Sequence, residues 1–312
     1  MERRGLRPFL KWVGGKRQLL PALRRHYPAS IATYFEPFLG SGAVYFDLIR
    51  HGLLDPRQAR LTDANADLIG CYRRLADAGA HVLDELGRLA AGHAEGGRDH
   101  YLRIRDQRFN PERAEWRASG AGVDRYPPAL AAMLIYLNRT GYNGLFRVNA
   151  GGEYNVPPGR YDRPRIVDRP LLDAVAAVLP RDASGLTVAP YDWVIDAARA
   201  GDFVYFDPPY APLSATANFR GYTGRGFGDA DQQRLQEIAI ELAGRGVQVL
   251  LSNSIAPTVS TLYEDNERAL AAGLHAWRVP ARRAVNSNAQ RRGAIEELIV
   301  SNVRPRAAVQ AV

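Results

Sequence analysis

The tetrapeptide Asp-Pro-Pro-Tyr at residues 207–210 directly follows a short apolar run, FVYF, at residues 203–206. Proline cannot donate to a strand ladder, so the prolines predict the end of a buried strand. The turn would present the Asp207 carboxylate, the Pro208 carbonyl and the Tyr210 ring together. In an open α/β sheet, the carboxyl ends of the strands face the ligand crevice.

These three groups suit chemistry on an aromatic amine. The exocyclic amine of a nucleobase is a poor nucleophile, because its lone pair is delocalised into the ring. Two acceptors, Asp207 and the rigid Pro208 carbonyl, would draw the nitrogen toward tetrahedral geometry and stabilise the positive charge that develops as it attacks a sulfonium methyl. Stacking of the base on Tyr210 would contribute ~1–3 kcal/mol. We therefore predict that Asp207, Pro208 and Tyr210 are catalytic.

A glycine-rich stretch, FEPFLGSG at residues 35–42, lies between an apolar strand and a helix. The Gly40 and Gly42 turn would let the backbone approach a nucleotide-like ligand, and Asp63, at the end of the next strand, could accept hydrogen bonds from a ribose. Taken singly, the glycines would serve as an ordinary turn and Asp63 as a helix N-cap. Together they favour a nucleoside cofactor.

A later turn, APYDW, offers Asp192 as an acceptor for an adenine amino group and Trp193 as a stacking ring. An N-capping aspartate followed by a core tryptophan would give the same pattern. Both interpretations stay open at this point.

Strand–turn–helix units recur along the chain and predict an open, mostly parallel α/β sheet. Residues 75–165 break this rhythm, because they are helical and arginine-rich and then form a hairpin around Ala150-Gly151-Gly152. We predict a discontinuous domain at 1–74 and 166–304, a small helical domain with a hairpin inserted at 75–165, and a disordered tail at 305–312.

Composition narrows the class of protein. The net charge of +8 over 312 residues fits a polyanionic partner without requiring one, and lysine occurs only at positions 11 and 16. Cys71 is the single cysteine of the chain, which excludes an internal disulfide and a zinc deaminase cluster. Because Cys71 follows Gly70, a Pro-Cys nucleophile is also excluded. No apolar run is long enough to span a bilayer. Together with the absence of a signal-peptide pattern, this favours the cytoplasm, as for a bacterial nucleoid-associated or phage-encoded enzyme.

Long motifs throughout the chain resemble the Dam family (D12 class, α-type) of DNA adenine-N6 methyltransferases. They are FLKWVGGK, FEPFLGSGAVYF, LTDANADLI, LNRTGYNGLFRVNAGGEYNVPPGRY, DPPYAPLSATANF, LLSNS and RRAVNSNAQRR. The resemblance implies a Rossmann-like methyltransferase sheet with an inserted helical recognition domain that carries the hairpin. It also implies transfer of a methyl group from S-adenosylmethionine, with S-adenosylhomocysteine as the product and no metal.

The resemblance implies roles for individual residues. The cofactor would be bound by Trp12, Lys16, Phe38, Gly40, Gly42, Asp63, Asp192, Trp193 and Asp207, with Lys16 on the cofactor carboxylate. DNA would be contacted by Lys11, Tyr142, Asn143, Leu145, Arg147, Pro157, Arg160 and Tyr161. Among these, Tyr142 and Asn143 would fill the gap left by an extruded adenine, and Arg147 would read a guanine. The match to members that modify GATC implies that site.

Two alternatives use the same residues differently. Cytosine-N4 methylation could use the same acceptors, although such enzymes more often begin this motif with serine. A non-catalytic DNA-binding module could keep the fold. The expected partner is double-stranded DNA, and a cognate restriction endonuclease is a possible second partner. The enzyme could act as a monomer, and no association with a membrane is expected.

Overall fold

A computed structural model describes residues 5–211, 227–282 and 294–306. Its strands form a seven-stranded sheet in the order β3-β2-β1-β4-β5-β7-β6 within these residues. The strands are β1 (Tyr34–Glu36), β2 (Ala59–Asp63), β3 (Leu186–Val188), β4 (Phe203–Phe206), β5 (Gln248–Ser254), β6 (His275–Arg282) and β7 (Ala294–Ser301).

The pairing is mostly parallel, as the sequence predicts. β1 pairs with β4, β4 with β5, and β2 with β3, all in parallel. β7 is antiparallel to both β5 and β6. The β6–β7 hairpin was not anticipated from the sequence, because its strands mix charged and apolar residues without strict alternation.

Ten α-helices accompany these strands within the described residues. They are α1 (Leu20–Leu23), α2 (Ala43–Arg50), α3 (Ala66–Arg103), α4 (Asn110–Ala118), α5 (Pro128–Thr140), α6 (Arg169–Ala176), α7 (Val194–Ala197), α8 (Asp229–Gly244), α9 (Pro257–Tyr263) and α10 (Glu267–Ala271). A single π-helical turn, Ile104–Phe109, joins α3 to α4. The backbone of α3 leaves helical geometry at Ala78 and Gly97.

The chain divides into two compact units, and the first comprises residues 5–15 and Gly40–Val188 among those described. Its centre is α5, in which every residue from Leu130 to Asn138 is buried. A helix that is apolar on all sides belongs in a core. α5 packs against α3, and its last turn leads directly into the turn at residues 141–145.

The second unit comprises Lys16–Leu39 and residues 189–211, 227–282 and 294–306. Its core joins one face of β4 and β5 to the apolar face of α8, including Val204, Phe206, Leu251, Leu235 and Ile238, all of which are fully buried. Asp207 follows β4 immediately. The rigid, buried strand therefore fixes where the Asp-Pro-Pro-Tyr turn begins.

The predicted domain boundary at residue 74 falls inside α3, four residues before the kink at Ala78. The division into 1–74, 75–165 and 166–304 stays a prediction. Within the predicted tail, Arg306 N donates to Arg25 O over 2.7 Å. Residues 307–312 of that tail, 212–219 of the DPPYAPLSATANF motif and 283–292 of the RRAVNSNAQRR motif lie outside the described residues.

Among the helices that the structure describes, none combines the length and the apolar character that crossing a membrane requires.

Candidate active site

The Asp207 carboxylate is held by two neighbours. Lys16 Nζ lies 2.7 Å from Asp207 Oδ1, and the Ser252 hydroxyl donates to the same oxygen over 3.3 Å. Lys16 is 5% exposed and the Asp207 side chain 21% exposed, so this ion pair is largely removed from water. The sequence analysis assigned Lys16 to the carboxylate of the cofactor; its partner here is a protein carboxylate. The assignment of Lys16 to the cofactor carboxylate stays a prediction.

The pKa of Asp207 is raised to about 6. Burial is the main cause, because removing a carboxylate from water disfavours its charged form, and the Lys16 ammonium opposes the rise. The negative charge of Glu297 raises the pKa further. Asp207 is therefore ionised at neutral pH and becomes protonated in mildly acidic solution.

Tyr210 is the second group of this turn. Its hydroxyl donates to Glu297 Oε2 over 2.8 Å, and Lys16 Nζ lies 4.4 Å from the centre of its ring. Burial, followed by the charge of Asp207, raises the pKa of Tyr210 well above its ordinary value, so the phenol stays neutral. The ring is partly exposed, which leaves part of its surface available.

The proline turn itself is braced from β5. Pro208 is buried and Pro209 exposed. Gln232 Nε2 donates to the Pro209 carbonyl over 3.2 Å, and Asn253 Nδ2 donates to Gln232 Oε1 over 2.9 Å. This chain of amides limits the movement of the turn relative to β5.

In the other unit, the glycine turn is tied to Asp63. Gly40 N donates to Asp63 Oδ2 over 3.0 Å, and Asn65 N donates to Oδ1 over 2.9 Å. Gly40 and Gly42 have φ of +47° and +64°, a region that favours glycine. Burial raises the pKa of Asp63, and these two backbone hydrogen bonds oppose the rise.

This arrangement fits a nucleoside. A carboxylate has roughly four acceptor positions, and the two backbone bonds leave Asp63 free to accept more hydrogen bonds from a diol. A Cβ atom at Gly40 would lie 3.0 Å from Trp12 Cδ1, so the Trp12 ring lies directly against the turn. The Trp12 ring also stacks on Phe146, with centroids 6.0 Å apart. Glycine at position 40, which has no side chain, therefore allows the Trp12 ring to lie this close to the turn.

The second unit also contains an aromatic cluster around Phe38. The Phe38 ring stacks on Tyr191 at 5.3 Å and meets Phe227 edge-on at 5.7 Å. Trp193 packs against the core residue Phe35 at 5.6 Å. Tyr191 and Phe227 were not singled out from the sequence, although each lies close in the chain to a residue or helix that was. The stacking role of Trp193 and the acceptor role of Asp192 stay predictions.

The residues predicted to contact DNA all belong to the first unit, and they are exposed except for Leu145, which is partly buried: Lys11, Tyr142, Asn143, Leu145, Arg147, Pro157, Arg160 and Tyr161. Lys11 Nζ lies 4.1 Å from the centre of the Tyr161 ring. Tyr142 N donates to Pro157 O over 2.9 Å, which joins the 142–145 turn to the return side of the hairpin. Asn143 adopts a φ of +53° at the tip of that turn.

The hairpin predicted around residues 150–152 is present as a narrow antiparallel ladder. Val148 pairs with Tyr154, and Asn149 N donates to Glu153 O over 2.9 Å. Arg147 Nε donates to Asn155 Oδ1 over 2.7 Å across the ladder. The exposed guanidinium of Arg147 is thus oriented by a residue eight positions away.

Several residues around these sites escaped the sequence analysis. Ser252 and Glu297 contact the Asp-Pro-Pro-Tyr turn, and Asn138, Asn155 and Arg113 support the 142–145 turn and the hairpin. Asn138 had a detectable signal, since it is a polar residue that ends the apolar run of α5 directly before a glycine turn. Glu297 had none, because its strand was not recognised.

Within residues 5–211, 227–282 and 294–306, no group of three or more His, Cys, Asp and Glu side chains is placed to hold a metal ion.

The mixed, mostly parallel sheet is that of the Rossmann-like methyltransferases. The model of one family, the D12 class N6 adenine-specific DNA methyltransferases, matches residues 12–278. The chain therefore belongs to this family, and it is an adenine-specific DNA methyltransferase that acts on duplex DNA. Methyltransferases of this family use S-adenosylmethionine. The match favours adenine N6 over cytosine N4 and over a non-catalytic module.

Curated relatives cover nearly the whole chain. The type II methyltransferase M1.LlaDCHI of Lactococcus lactis subsp. cremoris is 37% identical over 95% of each chain. The type II methyltransferase M.MjaIII of Methanocaldococcus jannaschii is 35% identical over 95% of this chain and 99% of its own. The DNA adenine methylase of Escherichia coli strain K12 is 35% identical over 94% of each.

Proposed function

We propose that this enzyme extrudes the adenine of a GATC site from duplex DNA and methylates its N6 atom at the Asp207–Tyr210 turn. The observation that carries the proposal is the Asp207 carboxylate, which follows β4 beside the partly exposed Tyr210 ring and is anchored by Lys16 and Ser252. A base within a duplex cannot present N6 to such a turn, so it must leave the stack at a cost of a few kcal/mol.

Asp207 and the Pro208 carbonyl each accept one N–H hydrogen bond from N6 of the adenine. Together they favour a tetrahedral nitrogen with an available lone pair and stabilise the positive charge that forms on it. Tyr210 stacks on the base, and because its hydroxyl is held by Glu297 the ring keeps a fixed plane. The raised pKa of Tyr210 keeps the phenol from adding a negative charge to the site.

Lys16 keeps Asp207 ionised. In a site where burial alone would favour the protonated acid, the ammonium at 2.7 Å favours the carboxylate, which is the form that accepts from an amine. The same ammonium would also meet the carboxylate of the cofactor.

S-adenosylmethionine, when bound, supplies an electrophilic methyl group on a sulfonium. Asp63 would accept hydrogen bonds from its ribose, and the Gly40–Gly42 turn would admit the nucleoside close to the backbone. Trp12 and Phe38 would line this site, with Asp192 and Trp193 at the adenine of the cofactor.

Recognition of the DNA site is assigned to the exposed residues of the first unit. Tyr142 and Asn143 would fill the gap left by the extruded adenine, and Leu145 would touch a thymine methyl. Arg147 would make a bidentate contact with guanine O6 and N7. The remaining contacts would come from Lys11, Pro157, Arg160 and Tyr161.

The proposal is tested by incubating the enzyme with tritiated S-adenosylmethionine and duplexes that differ only in whether they contain GATC. Label should appear as N6-methyladenine in the GATC duplex alone, and sequencing of modified host DNA should find the same site. Asp207→Ala should lower kcat about 10²–10³-fold, as for removal of one transition-state hydrogen-bonding group. Equal labelling of both duplexes would reject GATC, and normal turnover by Asp207→Ala would reject the role of the carboxylate.

We also propose that the enzyme acts as a monomer and that residues 75–165 form its recognition domain. Relatives named type II methyltransferases and relatives named DNA adenine methylases match equally much of the chain, so a cognate restriction endonuclease and a solitary role are both supported. Sedimentation of the enzyme and inspection of the neighbouring genes test these points.

A further inference from the structure

A buried amide connects two segments that carry proposed DNA contacts. Asn138, in the last turn of α5, is 2% exposed. Its Oδ1 accepts from Lys11 N over 2.8 Å, and its Nδ2 donates to Lys11 O over 2.6 Å and to Gly144 O over 2.9 Å. One side chain thus satisfies three backbone groups from two distant parts of the sequence.

The two segments touch each other where Asn138 joins them. A methyl group at Gly144 would overlap Cβ of Lys11, so the turn Tyr142–Gly144 lies directly against the N-terminal segment. The Lys11 side chain then extends over the Tyr161 ring, and its ammonium also lies 3.5 Å from Arg139 O. Lys11, Tyr142 and Asn143 are exposed around this junction.

The chemistry of the junction requires an amide. A carboxylate at position 138 could still accept from Lys11 N, but it would face two carbonyl oxygens with no proton to donate. An apolar residue would leave all three backbone groups unsatisfied, each at the cost of a buried unpaired polar group. Asparagine is the residue of this size that both donates twice and accepts.

We propose that Asn138 is a positioning residue for DNA specificity, which holds Lys11 and the 142–145 turn in one fixed arrangement so that both read the same site. The inference rests on the proposed function, because that function assigns the DNA contacts to these segments. Asn138 itself touches no DNA: it is buried, and all of its hydrogen bonds in the structure go to the backbone. Its loss should therefore weaken discrimination between sites more than it weakens methyl transfer itself.

The experiment compares Asn138→Asp and Asn138→Ala with matched variants of Asn302. Asn302 supports the backbone elsewhere in the same way, since its Oδ1 accepts from Val249 N and its Nδ2 donates to Val247 O, each over 2.8 Å. The readout is kcat/KM for N6 methylation of a GATC duplex divided by kcat/KM for a duplex with one outer base pair changed, with Tm measured for each protein.

The Asn138 variants should lower this ratio about tenfold, within the range of one lost base contact, while the Asn302 variants lower Tm and leave the ratio unchanged. Gly144→Ala keeps the amide but separates the turn from Lys11, so it should lower the ratio even if the Asn138 variants do not fold. The inference is overturned if the ratio stays within twofold of the wild-type value in Gly144→Ala and in those Asn138 variants that fold. A wild-type enzyme that does not distinguish the two duplexes instead overturns the proposed GATC specificity, and the inference with it.

Discussion

Lys16 and Asp207 form an ion pair in which burial of the carboxyl group outweighs the opposing effect of the ammonium. Burial raises the pKa of the carboxyl group, and the ammonium 2.7 Å away lowers it, with a resulting pKa of about 6. A carboxyl group with this pKa is mostly ionised at neutral pH. Because the pKa lies near neutral pH, a small change in nearby charge changes the fraction of Asp207 that is ionised. The activity of the enzyme should therefore report on this pair directly.

We expect kcat/KM to fall as the pH drops through about 6, because protonation removes the negative charge with which Asp207 is proposed to stabilise the attacking amine. Lys16→Met removes the positive charge that favours the ionised form, so the pKa of Asp207 should rise and the fall in activity should move to higher pH. Initial rates between about pH 5 and 9 at low substrate measure both profiles.

Lys11→Met is the matched control for Lys16→Met, since it removes the only other lysine of the chain. Lys11 is exposed and is not among the causes of the Asp207 shift. Its replacement should change KM for DNA but leave the midpoint of the acid limb in place. A Lys16→Met profile that coincides with wild type would mean that Asp207 does not control the acid limb.

The hairpin at residues 147–155 presents Arg147 in a fixed orientation. The Arg147 guanidinium donates to the Asn155 side chain and to the Asn155 carbonyl, and Asn155 N donates back to Arg147 O. An arginine held in this way loses little further freedom when it forms a bidentate contact, which suits base reading better than phosphate contact.

Arg147→Ala should cost ~1–3 kcal/mol at one guanine of the site and relax the preference for that base pair. Competition binding with duplexes that carry each base at each position of GATC measures the change. If Arg147→Ala weakened binding to every duplex by the same factor, Arg147 would be a contact to the DNA backbone.

The glycine turn before α2 depends on the absence of a side chain at Gly40. Gly40→Ala would place a methyl group 3.0 Å from the Trp12 ring at a φ of +47°, where alanine is strained by roughly 1–2 kcal/mol. We expect Kd for S-adenosylhomocysteine, measured by calorimetry, to rise about tenfold, which corresponds to a similar free energy.

Gly87→Ala serves as the control for Gly40→Ala. Gly87 lies within α3, and a Cβ atom there would meet no atom within 4 Å. Alanine should therefore maintain or raise helix stability and leave cofactor affinity unchanged. Unchanged affinity in Gly40→Ala as well would show that the turn does not contact the cofactor.

A buried ion pair joins α3, α4 and the hairpin across the first unit. Arg113 Nε lies 2.8 Å from Asp67 Oδ2, and Arg113 Nη1 donates to Gly152 O at the hairpin tip over 2.5 Å. Asp67 is fully buried and Arg113 only 5% exposed, and the Tyr126 hydroxyl donates to the second Asp67 oxygen. Helices α3 and α4 thus share one charged contact that also reaches the hairpin.

Arg113→Met should reduce the free energy of unfolding by about 3–5 kcal/mol, because it leaves Asp67 as a buried charge without its principal partner. Urea titration followed by circular dichroism measures the loss. Arg57→Met removes an exposed arginine from its pair with Asp55 and should leave the free energy of unfolding nearly unchanged. Arg117 Nη2 lies 3.7 Å from Asp67 Oδ2. Equal small losses of stability in the two variants would mean that water or Arg117 compensates the Asp67 charge fully.

The local features of the site were predictable from the sequence. Prolines after an apolar run end β4 at the Asp207–Tyr210 turn, and glycines between a strand and a helix form the turn beside Asp63. The hairpin around residues 150–152 follows from its glycine pair. Each depends on steric and hydrogen-bonding rules that act over a few residues, and the family resemblance drew on the same short motifs.

The partners of those local features were not predictable. Lys16 contacts Asp207 and Lys11 contacts Asn138, each across more than a hundred residues of the chain. Tyr210 contacts Glu297, which lies on a strand that the sequence did not reveal. The antiparallel β6 and β7 were missed because charged and apolar residues do not alternate strictly along them. Backbone turns are set by neighbours in the chain, whereas the pairing of buried charges and amides is set by which surfaces the folded core brings together.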